Sequence, residues 1–267
     1  MRVLVTSDWH LDAVTAGVPR RDEVLAFAAK ILRVTIDAKP DLFLHLGDWY
    51  TPGSMRDALY SSDISRFVSA MSRLLLPRAT HIYLAGNHDE LDLFDREHPN
   101  LNPAGADPDQ RLPVSTLTAV ATWMYSVPVE GRVCELPTAI ALPNEWALLA
   151  LPHCAPVLGV DYAQAVRECV EDFDASRLTK WVVAAHLTIP GAMLGSESRE
   201  LARGRDDLLP IDEIARLSPR LIVNGHYHRP QVVPSAAGDI VIPGSPVRMT
   251  FAERDDQKGY LLIDLPE

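Results

Sequence analysis

Apolar residues in this chain follow two rhythms. Short β-prone runs, Val3-Leu4-Val5, Leu42-Phe43-Leu44 and His81-Ile82-Tyr83-Leu84-Ala85, predict buried strands. Between the first two, Val24, Ala28, Ile31, Leu32 and Ile36 share one stripe at helical spacing, which predicts a helix from about Asp22 to Asp37. A second stripe of Ile64, Phe67, Val68, Met71, Leu74 and Leu75 predicts a helix capped near Ser61 or Ser62. Strand, helix, strand, helix, strand is the pattern of parallel βαβ units.

The rhythm stops at Glu90. From there to Pro113 the chain is rich in Asp, Asn, Pro and Gly and reads as a long surface loop, of the kind that is more often functional than not. The stretch from Val114 to Val129 fits helix and strand equally. Beyond it, strands are predicted at Arg132-Glu135, Ala139-Leu142, Ala147-Leu151, Trp181-Ala185, Leu221-Val223, Ile240-Ile242 and Tyr260-Leu265, with helices at Tyr162-Phe173 and Ile211-Leu217. No internal repeat or linker interrupts the pattern, so residues 1–267 are expected to form a single domain. Two sheets packed together, with helices outside, would use all of these elements.

Composition narrows the setting. The chain has 267 residues, 47% of them hydrophobic, enough for a substantial core. No apolar run approaches the roughly 20 residues of a membrane helix, and the N-terminus lacks the order of a signal peptide. A cytoplasmic protein without membrane contact is expected. Three cysteines with no CxxC pair suit a reducing compartment and argue against a thiolate zinc site. The net charge of -11 weighs against a broadly basic nucleic-acid surface, although bound cations would offset it locally.

Candidate chemistry sits directly after the strands. Asp8-Trp9-His10 follows the first, Gly47-Asp48 the second and Gly86-Asn87-His88-Asp89 the third; His186 follows Trp181-Ala185, and Gly225-His226-Tyr227-His228 follows Leu221-Val223. Ligands of α/β sheets bind at the carboxyl ends of strands, so these five motifs would converge on one crevice. Together they offer Asp8, Asp48, Asn87, His10, His186, His226 and His228, with His88 in reserve. A single zinc site closes with four ligands, so seven point to two ions. Oxygen and nitrogen donors without sulfur suit manganese, iron, zinc or magnesium alike, and donor chemistry does not choose among them. Asp48 is the natural bridging group. Any one of these histidines alone would more often be structural; their ordered occurrence carries the reading.

D-x-H, GD, GNHD, a lone His after an apolar strand, and GHxH, in that order, resemble the calcineurin-like metallophosphoesterase superfamily. The resemblance implies a four-layer α/β/β/α sandwich of two mixed β-sheets flanked by helices. It implies that Asp8, His10 and His228 bind one metal, that Asn87, His186 and His226 bind the other, and that Asp48 bridges them. Finer signs, SDWHLD at the start, AHLTIPGAMLGSESRE after His186, and PGSPVRMTFAERDDQKGYLLIDL at the end, resemble bacterial SbcD-type nuclease subunits. Such proteins cut DNA, in DNA repair, beside an SbcC-like coiled-coil ATPase. Two departures stand out: Asp48-Trp49-Tyr50-Thr51 lacks the histidine often found three residues after the bridging aspartate, and the chain ends at Glu267 without a capping domain or docking helices. A stand-alone enzyme or a homodimer therefore stays open beside the ATPase partnership.

The implied reaction is hydrolysis of DNA phosphodiester bonds by in-line attack of a metal-bridging hydroxide. His88 would stabilise the transition state or protonate the leaving oxygen, and Asp89 would either orient that ring or serve as an ordinary turn residue. Arg199 and Arg203, with Arg205, are candidates for meeting a phosphate backbone, although acidic neighbours explain them equally as a solvated loop. Trp9, Trp49 and Tyr50 flank the site and are expected to pack; His45, His81, His98 and His153 are expected to be structural. The alternatives are a phosphodiesterase for small substrates such as cyclic nucleotides, and a non-catalytic scaffold of the same fold.

Overall fold

The structure is a computed structural model that describes residues 1–50, 58–75, 79–89, 131–154, 160–171, 173, 180–194 and 207–266. The predicted strands and helices in these ranges are present. The expected loop from Glu90 to Pro113 and the ambiguous stretch to Val129 lie outside them, as do Arg199, Arg203 and Arg205.

One sheet has five strands in the order β13 (Leu261–Asp264), β1 (Arg2–Thr6), β4 (Leu42–His45), β5 (Thr80–Leu84) and β6 (Gly131–Cys134). Only β13 is antiparallel to its neighbour. The second sheet runs β11 (Gln231–Val233), β12 (Ile240–Ile242), β10 (Leu221–Asn224), β9 (Lys180–Ala185), β8 (Trp146–Leu151) and β7 (Thr138–Ala141). Its four central strands are parallel and both edge strands antiparallel. Both sheets are mixed.

Alternation along each strand sets the layers. In β1, Val3 and Val5 enter the core between the sheets, where they meet Leu148, Ala150, Val182 and Val223 of the second sheet. Leu4 points the other way, with Phe43 and Tyr83, onto α1 (Arg21–Ala38) and α2 (Ala58–Leu75) through Ile31, Phe67 and Met71. On the far side, Leu149, Val183 and Ile222 pack against Tyr162 and Val166 of α3 (Tyr162–Glu171) and Ile214 of α4 (Ile211–Arg216). Three apolar layers between four layers of structure give the α/β/β/α sandwich. A one-residue slip of any central strand would exchange these faces, at roughly 1.5–3 kcal/mol for each large side chain displaced from its core.

Boundaries differ from the sequence reading in places. Helix α2 begins at Ala58, ahead of the expected cap at Ser61 or Ser62. The hairpin β2 (Val14–Thr15) and β3 (Val18–Pro19), the edge strand β11 and a 3-10 turn at Phe251–Glu253 were not anticipated. Among the described residues no helix is long and apolar enough to cross a membrane. None of the three cysteines forms a disulfide, and Cys134 and Cys154 are buried.

Candidate metal centre

The five strand-end motifs meet at one edge of the sandwich, drawn together by backbone hydrogen bonds that continue past the strands. Asp8 N–H donates to the Gly47 carbonyl at 2.9 Å, His10 N–H to Asp48 at 3.1 Å and Leu11 N–H to Trp49 at 2.8 Å, which ties the first motif to the second. In the other sheet, Gly225 N–H donates to Ala185 and His186 N–H to Leu151. The turns are sharp. Asp8, His10, Asp48 and His226 all have positive φ, four of the nine non-glycine residues that do so among the described residues. Such conformations cost of order 1–3 kcal/mol each and cluster where function requires them.

Glycine permits the closest approach. Gly47 has φ of 101°, and a Cβ there would lie 2.6 Å from His186 Nδ1. A Cβ on Gly86 would lie 2.1 Å from Asp48 Oδ1. The glycines of GD and GNHD are therefore the residues that let the two loops touch.

Ligand atoms gather in overlapping sets. Asp8, His10 and His228 form one, with nitrogen or oxygen atoms within 4.8 Å of one another; Asp48, His186 and His226 form a second; His10, Asp48 and His88 form a third. Asp48 sits between the first two. Its Oδ2 lies 3.7 Å from His10 Nε2, and its Oδ1 lies 3.3 Å from His186 Nε2. Asn87 Oδ1 lies 3.0 Å from His186 Nε2 and 2.9 Å from His226 Nδ1. His10 Nε2 and His228 Nε2 face each other at 3.0 Å. Hence the sequence-derived set of Asp8, His10, Asp48, Asn87, His186, His226 and His228 occupies one pocket.

The electrostatics fit a cation. Asp8 is fully buried and neither of its carboxylate oxygens makes a well-formed hydrogen bond, with the Ser7 hydroxyl a nearby weak donor. Leaving a bare buried charge costs several kcal/mol, and burial accordingly pushes the Asp8 carboxyl up to about 6. Burial also opposes ionisation of Asp48, but His186, His88 and His10 hold it well below the carboxylate range. Burial would lower His186; Asp48 outweighs it and lifts the imidazole to about 9. His10 and His226 are driven well below the usual histidine range, by burial first and then by His228 and His186 respectively. Asp48 thus favours a proton on His186, which a bound cation would have to displace. These residues are positioned to bind metal.

Support behind the pocket fixes ring orientation. His10 Nδ1 bonds the Tyr50 carbonyl at 2.8 Å, and His186 Nδ1 bonds the Leu46 carbonyl. Asp89, with its oxygens on the N–H groups of Gly86, Asp48 and Trp49, all at 2.9 Å, acts as the loop clamp of the turn reading. Burial and Asp48 push its carboxyl up to about 7, against the Gly86 and Trp49 N–H groups and His186. His88 Nε2 stands 3.8 Å from Asp48 Oδ2, close enough to reach the same pocket.

Trp9, Trp49 and Tyr50 are buried, and His45 stacks on Trp49 at 3.6 Å, all as packing. His81 contacts the Tyr83 hydroxyl at 3.1 Å. Two features escaped the sequence reading. His153, expected to be a core residue, is paired with Asp207 at 3.3 Å. Glu253, from the tail, reaches His228; its T-F-x-E context was visible without a role attached.

Comparison with known proteins agrees with this geometry. The model of the calcineurin-like phosphoesterase family matches residues 1–230. The D component of the SbcCD nuclease of Bacillus subtilis is 22% identical over 272 residues, covering 99% of this chain and 66% of the relative. Its counterpart in the SbcCD nuclease of Escherichia coli K12 is 24% identical over 280 residues, covering 98% and 64%. This chain thus spans slightly under two thirds of those relatives. Among solved structures, TT1561 of Thermus thermophilus aligns with a TM-score of 0.54 at 14% identity, over 91% of this chain and 89% of that one. A purple acid phosphatase, PPD1 from yellow lupin seeds, aligns at 0.51 and 14%, over 91% and 43%. These likenesses extend to the fold. A family match from the first strand through the GHxH motif leads to one conclusion: the chain belongs to the calcineurin-like phosphoesterase family and is a metal-dependent phosphoesterase.

Proposed function

We propose that this protein hydrolyses DNA phosphodiester bonds with two divalent cations, manganese first among them. One would be held by Asp8, His10 and His228, the other by Asn87, His186 and His226, with Asp48 shared. The observation that carries this reading is the division of the Asp48 carboxylate, one oxygen toward His10 and the other toward His186. When bound, two cations supply Lewis-acid neutralisation of the developing phosphoryl charge and a water that ionises near neutral pH.

The chain's own residues do the rest. Asp48 holds its negative charge between the two halves, Asn87 adds a neutral oxygen, and the carbonyls of Tyr50 and Leu46 keep His10 and His186 turned inward. His88, whose ring lies edge-on to that of His10, gives a proton to the leaving oxygen. DNA is the substrate supported by similarity to the D components of SbcCD nucleases along nearly the whole chain. The same similarity supports an SbcC-like ATPase partner, beside a homodimer. Arg199 and Arg203 are retained as backbone contacts in this reading, and residues 1–267 as one catalytic domain in the cytoplasm.

The net charge of -11 favours a second reading, a phosphodiesterase for small substrates. The test is chelated protein reloaded with manganese chloride, assayed on single-stranded, double-stranded and hairpin DNA beside bis-p-nitrophenyl phosphate. Degradation of DNA supports the first reading. Turnover confined to small diesters would replace it with the second, and stoichiometric metal without hydrolysis of any diester would leave a scaffold.

A further inference from the structure

Behind His228 lies a buried ion pair that the reaction itself does not use. Glu253 is 1% exposed, and its Oε2 lies 2.6 Å from Lys258 Nζ. That oxygen also accepts the Met249 N–H at 3.1 Å. The other oxygen, Oε1, faces His228 Nδ1 at 3.6 Å. The same Lys258 ammonium donates to the His228 carbonyl at 2.6 Å and to Ser245 Oγ at 3.0 Å. One ammonium therefore sets both the carboxylate behind the ring and the backbone that carries the ring.

The imidazole is divided between two tasks. Nε2 looks into the pocket, 3.0 Å from His10 Nε2, and Nδ1 looks back at Glu253. A negative charge 3.6 Å from Nδ1 favours the proton on that nitrogen electrostatically, which leaves the Nε2 lone pair facing the space it shares with Asp8 and His10. By contrast, neutral carbonyls back His10 and His186. Burying a charged pair is poor design for stability alone, since well-packed apolar residues usually do as well or better. Its placement against one imidazole gives it a different use.

We propose that Glu253, held by Lys258, is a positioning residue that fixes the His228 tautomer and makes the Asp8–His10–His228 limb the tighter of the two cation sites. This inference rests on the two-cation reading above. A carboxylate partner raises the basicity of an imidazole ligand, and loss of such a partner typically weakens metal binding about 10- to 100-fold.

The test is titration of chelated protein with manganese chloride by calorimetry. Wild type should bind two ions with distinct affinities. Glu253→Gln should weaken only the tighter event, about 10- to 100-fold, and His228→Ala should abolish that event. In the His228→Ala background, Glu253→Gln should change nothing further. Should Glu253→Gln fail to fold, Glu253→Gln with Lys258→Met, which leaves no unpaired charge, is read in the same way. Two unchanged affinities, or two equally weakened ones, would overturn the proposal. So would failure of both variants to unfold cooperatively, which would assign the pair to the fold. Wild type binding fewer than two ions would instead remove the two-cation reading, and this inference with it.

Discussion

Asp89 accepts the backbone N–H of Asp48 at 2.9 Å, so the last residue of the third motif clamps the loop of the second. The same carboxylate takes the N–H groups of Trp49 and Gly86. Asp89→Ala would leave three buried donors without an acceptor, at a cost of at least about 3 kcal/mol. For a chain of this size that corresponds to a fall in Tm of about 6–12 °C, measurable by calorimetry of the metal-free protein. An unchanged Tm would mean that other groups hold the Asp48 loop.

Gly86 makes a different prediction because its constraint is steric. A methyl group there would meet Asp48 Oδ1 at 2.1 Å and Asp48 N at 2.5 Å. Gly86→Ala should displace the shared carboxylate by something near an ångström and cost roughly 10²-fold in turnover, with circular dichroism close to wild type. Full activity in this variant would show that the two loops need not touch.

His88 separates binding from chemistry. His88→Ala should retain both metals, by elemental analysis, while turnover falls about 10²–10⁴-fold. Its Nε2 lies 3.8 Å from Asp48 Oδ2, so a ligand role is the geometric competitor. Loss of one metal with normal turnover per remaining site would reverse the assignment.

Protons and cations compete for this pocket, and the sign follows from the two raised groups in the ligand set; Asp89, raised to about 7, lies behind it on backbone N–H groups and is not displaced by an ion. His186 is lifted to about 9 by Asp48 despite burial, and Asp8 is pushed up to about 6 by burial. Both must lose their protons to bind metal. Between about pH 6 and 9, loading should release one proton, from His186; below about 6, a second comes from Asp8. Affinity should therefore fall as pH drops from about 9 and fall more steeply below about 6. His10 and His226, held well below the usual range, stay neutral throughout and add nothing. Calorimetry in buffers of different ionisation enthalpy, at a pH below, between and above these two values, reads both quantities, and a flat affinity would contradict the scheme.

The strands and the pocket were legible for one reason: a buried strand writes itself into a run of adjacent apolar residues, and the polar motif a few residues past that run marks its exit. Val3-Leu4-Val5 followed by Asp8 is such a case, and Leu221-Ile222-Val223 followed by His226 is another. The β2–β3 hairpin was not legible, because two residues per strand give no period; its Ala16-Gly17 turn, both at positive φ, was the available sign. The start of α2 at Ala58 lies ahead of the serines that looked like caps, since a serine can sit inside a helix when packing fixes the register. Glu253 was hidden for another reason. It stands well along the chain from His228, and nothing local distinguishes a carboxylate that will be buried beside an imidazole from one left in water.

Asp8, His10, Asp48 and Asn87 come from one sheet, and His186, His226 and His228 from the other. Neither half of the sandwich owns a complete pocket. Bound ions would thus work as rivets across the seam, and a sideways slip of the halves that left every strand intact would still dismantle the catalyst. Precision in the oily layer between the sheets is, for this enzyme, a condition of its chemistry.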